Sequence, residues 1–424
     1  MSDIQDYPIN VFSETSCYNT NGGFNNTAGA LARQLDGKIL VGGSFTQYSG
    51  FTSNYIINLN TDGTINTSFN IGAGFNNAVT DIKIQTDGKI LVAGYFTSYS
   101  GVSINRIIRL NTNATIDNTF TIGLGLSNYT TYAPNKMTLQ PDGKIIVTGG
   151  FTTYSGVTAN RIVRLNTDGT IDNTFNTGTG FNNSTFESSL QTDGKIIVVG
   201  YFTSYSGTSR NRIIRLNSDG SIDNTFNIGT GFNGTFVTDV TLQSDEKILV
   251  AGGFTTYSGV SKNRIVRLNT DGAIDNTFTI GLGFNSGTDF DISIQPDNKI
   301  LVGGEFSSYS GYSANKFIRL NVDGTIDPTF NMDTSIDISA IYDSEILDSG
   351  KIIVVGYFTS TSSNMIHRIF SGGSIDNCAV VTPTPTITPT ITPTNLPIYK
   401  IIVINTDPIC ENSIENIISG VTDC

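Results

Sequence analysis

LQTDGKIIVVGYFTSYSG, residues 190–207, decides how this chain folds, because the same stretch returns again and again. Its lysine recurs as Lys38, Lys89, Lys144, Lys195, Lys247, Lys299 and Lys351, at spacings of 51, 55, 51, 52, 52 and 52 residues. Seven units of about 52 residues follow from that count. A repeat of this length is one supersecondary unit that buries its apolar face only against its neighbours, so it has to be read before anything else.

The second copy shows how each unit is organised. Four short strands are expected, A over Val79 to Gln85, B over Lys89 to Phe96, C over Arg106 to Asn111 and D over Thr115 to Phe120. Asp87-Gly88 separates A from B, and Asp62-Gly63, Asp168-Gly169 and Asp219-Gly220 do the same between C and D. Glycine takes the positive φ of a tight hairpin turn without steric penalty, so both junctions read as hairpins. Helical repeats of similar length would show a 3.6-residue apolar period, and none is present. The expected fold is all-β: a seven-bladed β-propeller of four-stranded antiparallel blades over residues 1–379. A Thr/Pro-rich linker over 380–397 and a small C-terminal docking or oligomerisation module over 398–424 complete the chain.

The recurrent LQxDGKIxVxGxF followed by NRIxRLNxDGxIDxxF resembles the delta-60 repeat, a β-propeller repeat of bacterial surface and phage-type proteins. The resemblance covers about residues 15 to 379 and implies architecture and a structural or surface role. It brings no catalytic residues with it. The copies depart from the motif at Glu246 and Asn298, which stand where others have glycine before lysine, and the seventh copy lacks Tyr-Ser-Gly.

Ring closure is legible at the chain ends. TSCYNTNGGFNN aligns with NTSFNIGAGFNN of the first full copy and puts Tyr18 at the Phe69 position, whereas GSIDNCA leaves Ala379 where the seventh copy should have its phenylalanine. The N-terminal segment is therefore expected to complete the last blade. Cys17 and Cys378 both fall at the Ser68 position. They either pair as a disulfide, worth at most ~5 kcal/mol by loop entropy, or stay as two buried thiols. A Cys410 to Cys424 bridge is a second pairing to weigh, since a module this short cannot bury a core unaided.

Composition excludes several function classes. A net charge of -12 with only 14% charged residues opposes phosphate backbones and anionic membrane surfaces, so neither nucleic acid nor membrane insertion is expected. No apolar run is long enough for a membrane span, and the start lacks the basic and apolar regions of an export signal. No P-loop, Gly-x-Ser-x-Gly elbow, His-Glu-x-x-His helix or clustered cysteine motif occurs, so no catalytic, cofactor or metal residues are assigned and the chain is read as a non-enzyme. LNTDGTID resembles a calcium loop but carries Arg and Phe where its first and last carboxylates should be, and is read as a turn. His367, the single histidine, replaces a strand-C isoleucine and reads as a strand residue.

Two sets of repeated residues stand out. Arg109, Arg164, Arg215, Arg267, Arg319 and Arg368 in strand C recur with Asp117, Asp172, Asp223, Asp275, Asp327 and Asp376 in strand D, while the first copy has Asn58 and Asn66. Charges lost together point to ion pairs across a hairpin, a structural device. Tyr48, Tyr99, Tyr154, Tyr205, Tyr257 and Tyr309 lie in the FTxYSG segments, on the face expected to carry the long loops. They are candidates for ligand or partner contact, against the alternative that they hold loops in shape. The insertion Ser127–Pro134 in the third unit adds Asn128, Tyr129 and Tyr132 as candidates, because unexplained loop length often marks function.

After Cys378, VTPTPTITPTITPTNLP is expected to form a semi-rigid polyproline II spacer of about 40 Å. The apolar IYKIIVIN beyond it offers a strand to other virion or surface proteins. The leading expectation is a virion structural protein, phage tail, fibre or capsid-associated, assembled in the host cytoplasm, with host-surface glycan or receptor contact as a further role. A secreted bacterial surface adhesin is second, and a polysaccharide-degrading enzyme on a propeller scaffold a distant third.

Overall fold

The computed structural model of the chain describes residue 18 and residues 22–127, 136–335, 337–358 and 366–376, all within one compact unit, Met1–Cys378. The linker 380–397, the module 398–424, the four cysteines Cys17, Cys378, Cys410 and Cys424, and the loop candidates Asn128, Tyr129 and Tyr132 lie outside the described residues.

Each copy builds one antiparallel sheet in the order A, B, C, and seven such sheets are present among the described residues. In the second blade, strand A is Val79–Ile84, strand B is Ile90–Gly94 and strand C is Ile107–Leu110. Strand B reads ILVAG and is buried along its whole length, as a run of apolar, mostly β-branched residues must be when neighbouring blades cover both faces. Strand A is covered only in part, with Val79, Asp81 and Ile82 buried and Thr80, Lys83 and Ile84 half-buried. The A–B turn closes with Gly88 at φ 82° while the Asp87 carboxylate accepts the Lys89 N–H. Glu246 and Asn298 adopt the same left-handed conformation at φ 63° and 62°, a conformation that favours glycine.

Two connections differ in detail from their expectation. Strand D is a short return along strand C: in the second blade Ile116 bridges Leu110, the Asn111 N–H donates to the Thr115 carbonyl and the Asp117 N–H to the Arg109 carbonyl. The Asp117 carboxylate then accepts both the N–H and the hydroxyl of Thr119. That local turn bends the chain away from the sheet edge and keeps the pairing short. The B–C connection is likewise not an open loop, since Ser98–Tyr99 pairs with Val102–Ser103 as a small separate hairpin.

Strands A of consecutive blades pack against one another around the axis, and those of the first and seventh blades, Ala28–Arg33 and Ile338–Ile346, do the same. Three carboxylates fasten this inner ring. Asp81 accepts the Met137 N–H at 2.7 Å, Asp239 accepts the Ile292 N–H at 2.6 Å and Asp343 accepts the Leu31 N–H at 2.7 Å, each reaching from one blade to the exposed backbone edge of the next. The last of these crosses the junction where the chain ends meet.

Tyr18 seals that junction from the outside. It is buried to 2% exposure, and its ring lies 5.0 Å from the Arg368 guanidinium, the place that Phe120 takes 4.6 Å from Arg109. One apolar cluster there joins Tyr18, Phe24 and Leu31 to Leu347, Ile353 and Ile366 of the seventh blade. The Tyr18 hydroxyl is buried without a hydrogen-bond partner among the described residues. In urea denaturation, Tyr18→Ala should therefore lose about 3 kcal/mol, the usual loss for an emptied aromatic site, whereas Tyr18→Phe should be neutral or gain stability by removing an unpaired hydroxyl.

Candidate functional site

The repeated residues converge on one bonding unit. Arg109 Nε donates to Asp117 Oδ2 at 2.7 Å, the guanidinium covers the Phe120 ring, and Lys89 Nζ approaches the same carboxylate at 3.2 Å. Arg164–Asp172, Arg215–Asp223, Arg267–Asp275, Arg319–Asp327 and Arg368–Asp376 repeat the 2.7 Å contact. In the second to seventh repeats the marking lysine is thus a third charge in the same unit, reaching Asp172 from Lys144, Asp327 from Lys299 and Asp376 from Lys351 at 2.9–3.0 Å. Burial works against ionisation of Asp117, but hydrogen bonds from Thr119, Arg109 and Lys89 outweigh it and hold the carboxyl well below its usual range.

The arginine also leaves its own blade. Arg109 donates to the Thr167 carbonyl in the third blade, and Arg164, Arg215, Arg267 and Arg319 donate to the carbonyls of Ser218, Thr270, Val322 and Ser371, each one blade further on. Arg368 completes the series with a 2.9 Å bond to the Thr61 carbonyl of the first blade. Only the first blade has no such arm, since Asn58 bonds Asn66 at 3.0 Å and the Gln34 side chain instead.

The six tyrosines offered as a contact face do not form one. Tyr48, Tyr99, Tyr154, Tyr205, Tyr257 and Tyr309 are at most 2% exposed. Their hydroxyls donate at 2.6–2.8 Å to the carbonyls of Gly63, Ala114, Gly169, Gly220, Gly272 and Gly324. The hairpin that carries each tyrosine folds back over the blade, so the ring packs on a phenylalanine of the GxGFN segment, as Phe75 and Tyr99 do at 4.6 Å. No surface is left for a ligand. His367 is buried beside Phe358, and burial lowers its pKa to about 4. It is neutral at pH 7, in keeping with its place in a strand. No group of three or more His, Cys, Asp or Glu among the described residues is placed to hold a metal.

What the repeats do not share gathers on the axis. One strand-A position reads Ala30, Asp81, Lys136, Glu187, Asp239, Asp291 and Asp343 from the first blade to the seventh. Six of these seven line or adjoin a cavity of about 1120 Å³, which extends into a mouth bounded by Tyr95, Phe186, Tyr201, Phe236 and Tyr342. Lys83, two residues beyond Asp81, approaches it at 3.5 Å. Burial, together with the charge of Glu187, pushes the Asp239 carboxyl up to about 7, and burial with the neighbouring Asp343 does the same to Glu345. Asp291 is driven well above the carboxylate range by burial and by Asp343 and Asp239. Burial opposes the charge on Lys136, but Asp81, Glu187, Asp343 and Asp291 outweigh it and raise its pKa. Sequence reading missed this ring, although its signal is present as the charged strand-A position that changes from copy to copy.

Closed in this way, the described unit is a β-propeller whose repeated residues are all engaged in holding it together. The sequence model of the DUF5122 β-propeller, described as a domain of unknown function, matches residues 34–69, 85–120, 140–175, 191–226, 243–278, 295–330 and 348–377, and the chain belongs to this family. The extracellular domain of BT3049 from B. thetaiotaomicron is similar in fold, with a TM-score of 0.50 at 12% identity over 82% of this chain and 40% of that one. This chain therefore spans well under half of that protein's length. The WD40 β-propeller domain of Doa1 has a TM-score of 0.49 at 12% identity over 84% of this chain and 96% of that one. No curated protein sequence matches. No helix among the described residues is long and apolar enough to cross a membrane.

The raised carboxyls have a consequence with a definite sign. A carboxyl whose pKa is higher folded than unfolded binds more protons in the folded state, so its destabilising effect grows as pH rises from about 4 to about 7. Asp239→Asn keeps an acceptor for the Ile292 N–H and removes the charge. It should gain about 1–2 kcal/mol over the wild type at pH 8 and nothing at pH 4, read from urea midpoints, the open channel keeping the gain below the full shift.

Proposed function

We propose that this chain is a non-catalytic structural propeller of a virion, a rigid head that other proteins hold through the segment after Cys378. The observation that carries the reading is the complete internal use of the repeated residues. Tyrosine, arginine, aspartate and lysine, the groups from which a repeated reactive or ligand-binding set would be made, are each bonded within the blade or to the next one. Such a ring is stiff and offers little unpaired backbone to a partner, because its strand edges are short.

The finer placement draws on sequence. The repeats resemble the delta-60 type of phage and bacterial surface proteins, and the Thr/Pro-rich segment 380–397 is the proposed linker to the module 398–424. That module, with its strand-forming Ile398–Asn405, is the proposed docking element to other virion proteins. Cytoplasmic assembly into particles is the corresponding location, with the bacterial surface as the alternative.

Fractionation of producing cells, with peptide mass spectrometry on purified particles and on the cell-wall fraction, distinguishes the two. The chain should co-purify with particles at fixed stoichiometry, and a variant lacking residues 380–424 should fold but be absent from them. Full incorporation of the shortened chain would place docking on the propeller, and recovery in the wall fraction alone would favour the adhesin.

A further inference from the structure

The variable residues of this propeller do not scatter. Six residues after the repeat lysine, at the end of strand B, the chain reads Ser44, Tyr95, Gly150, Tyr201, Gly253, Glu305 and Tyr357 across the seven blades, and the strand-A residue beside the charged layer varies as widely, with Thr80, Phe186 and Tyr342 among its forms. Tyr95 and Tyr201 from the first position and Thr80, Phe186 and Tyr342 from the second line the axial cavity together. Uniform positions build the ring, so positions that escape uniformity at one place are free to serve a ligand that meets the ring only there.

From this convergence we infer that the axial mouth binds a neutral oligosaccharide. The walls supply the apolar half of the recognition. Phe186 stands edge-on to Phe236 at 5.7 Å, and Tyr201 packs beside Phe236 at 5.1 Å while remaining 36% exposed. Partly exposed aromatic faces of this kind accept the C–H face of a pyranose ring. Below them, Glu187, Asp239 and Asp291 line the cavity, and Ser189, Thr238 and Thr241 add hydroxyls. Carboxylates accept from sugar hydroxyls, and hydroxyls or protonated carboxyls also donate, so a polyol finds both kinds of partner.

Size and charge narrow the class. About 1120 Å³ exceeds the ~300–1,000 Å³ typical of small-ligand sites, which is room for several linked rings rather than one. A recess of about 230 Å³ continues the mouth past Thr80, Tyr95 and Tyr342 toward the first blade, where Gly29 and Ser44 add almost no bulk. The acidic floor disfavours sialylated or sulfated glycans. Lys83 and Lys136 already stand among its carboxylates, and the raised carboxyls beside them keep part of the charge protonated, which favours a neutral ligand over a cation. The inference does not depend on the virion reading, since a sugar-binding mouth serves equally on a particle or a cell surface.

Saturation-transfer NMR on the full chain tests it, with chitotriose, cellotriose, maltotriose and mannotriose as neutral probes, 3′-sialyllactose as the anionic probe and spermine as the cationic one. At least one neutral trisaccharide should bind, Phe236→Ala and Tyr201→Ala should each weaken it tenfold or more, and Tyr312→Ser, on the exposed outer rim, should leave it unchanged. Melting curves establish that each variant is folded, and Tyr201→Phe, which keeps the ring, should retain most of the affinity. Binding of spermine alone, failure of all four neutral probes, or neutral binding indifferent to both aromatic deletions would each overturn the assignment.

Discussion

The ring depends on a buried guanidinium that belongs to two blades at once. Within its own blade, Arg215 is fixed by Asp223, Thr225, Gln191 and the face of Phe226, and the Nη1 group that meets Gln191 also donates to the Thr270 carbonyl of the next blade. Planarity matters here, because one flat group with five donors can bond a carboxylate at one edge and a carbonyl at another while stacking on a ring. A lysine could supply the charge but not the three directions. The desolvation penalty of burying the charge is offset by complete hydrogen bonding, the condition under which a buried ion pair is tolerated.

The first blade shows what happens when that device is absent. Asn58 and Asn66 replace the charges with a neutral hydrogen bond, and the first-to-second junction then relies on its apolar cluster, in which Leu40, Ile56 and Phe69 meet Val79, Ile90 and Ile108. The opposite junction, where the chain ends meet, keeps its arm through Arg368 and adds the Asp343 clasp and Tyr18. The junction that the covalent chain does not span is thus held by arm, clasp and aromatic plug together, and the first-to-second junction alone lacks the guanidinium tie.

Much of this was legible in the sequence, because a repeat states each contact many times over. The lysine spacing gave the blades, and the joint loss of Arg and Asp in the first copy pointed to their pairing. The tyrosines misled because a loop position and an aromatic side chain together suggest a surface, while the hairpin that folds each ring back onto its own blade depends on the Ser49 and Gly50 backbone turn and on the Tyr48 to Phe24 bridge. The fourth strand is shorter than its span in the sequence because the Asp117 turn competes with the ladder through a side chain, which apolar periodicity does not report. The axial ring escaped because attention to a repeat favours what recurs, and Asp239, Lys136 and Glu187 are informative by differing.

The central claim is that guanidinium and carboxylate act as one unit that joins neighbouring blades, and a double-mutant cycle on Arg215 and Asp223 tests it most directly. Removing the charge of either partner alone, as Arg215→Asn or Asp223→Asn, should cost about 3–5 kcal/mol in urea denaturation, since it strands the other charge in the core. Making both changes, which recreates the Asn58 and Asn66 pair of the first blade, should cost clearly less than the two single losses added together. Strict additivity, with the double variant as unstable as the sum, would contradict the account, because the two residues would then be contributing separately and the tie between blades would have to lie elsewhere.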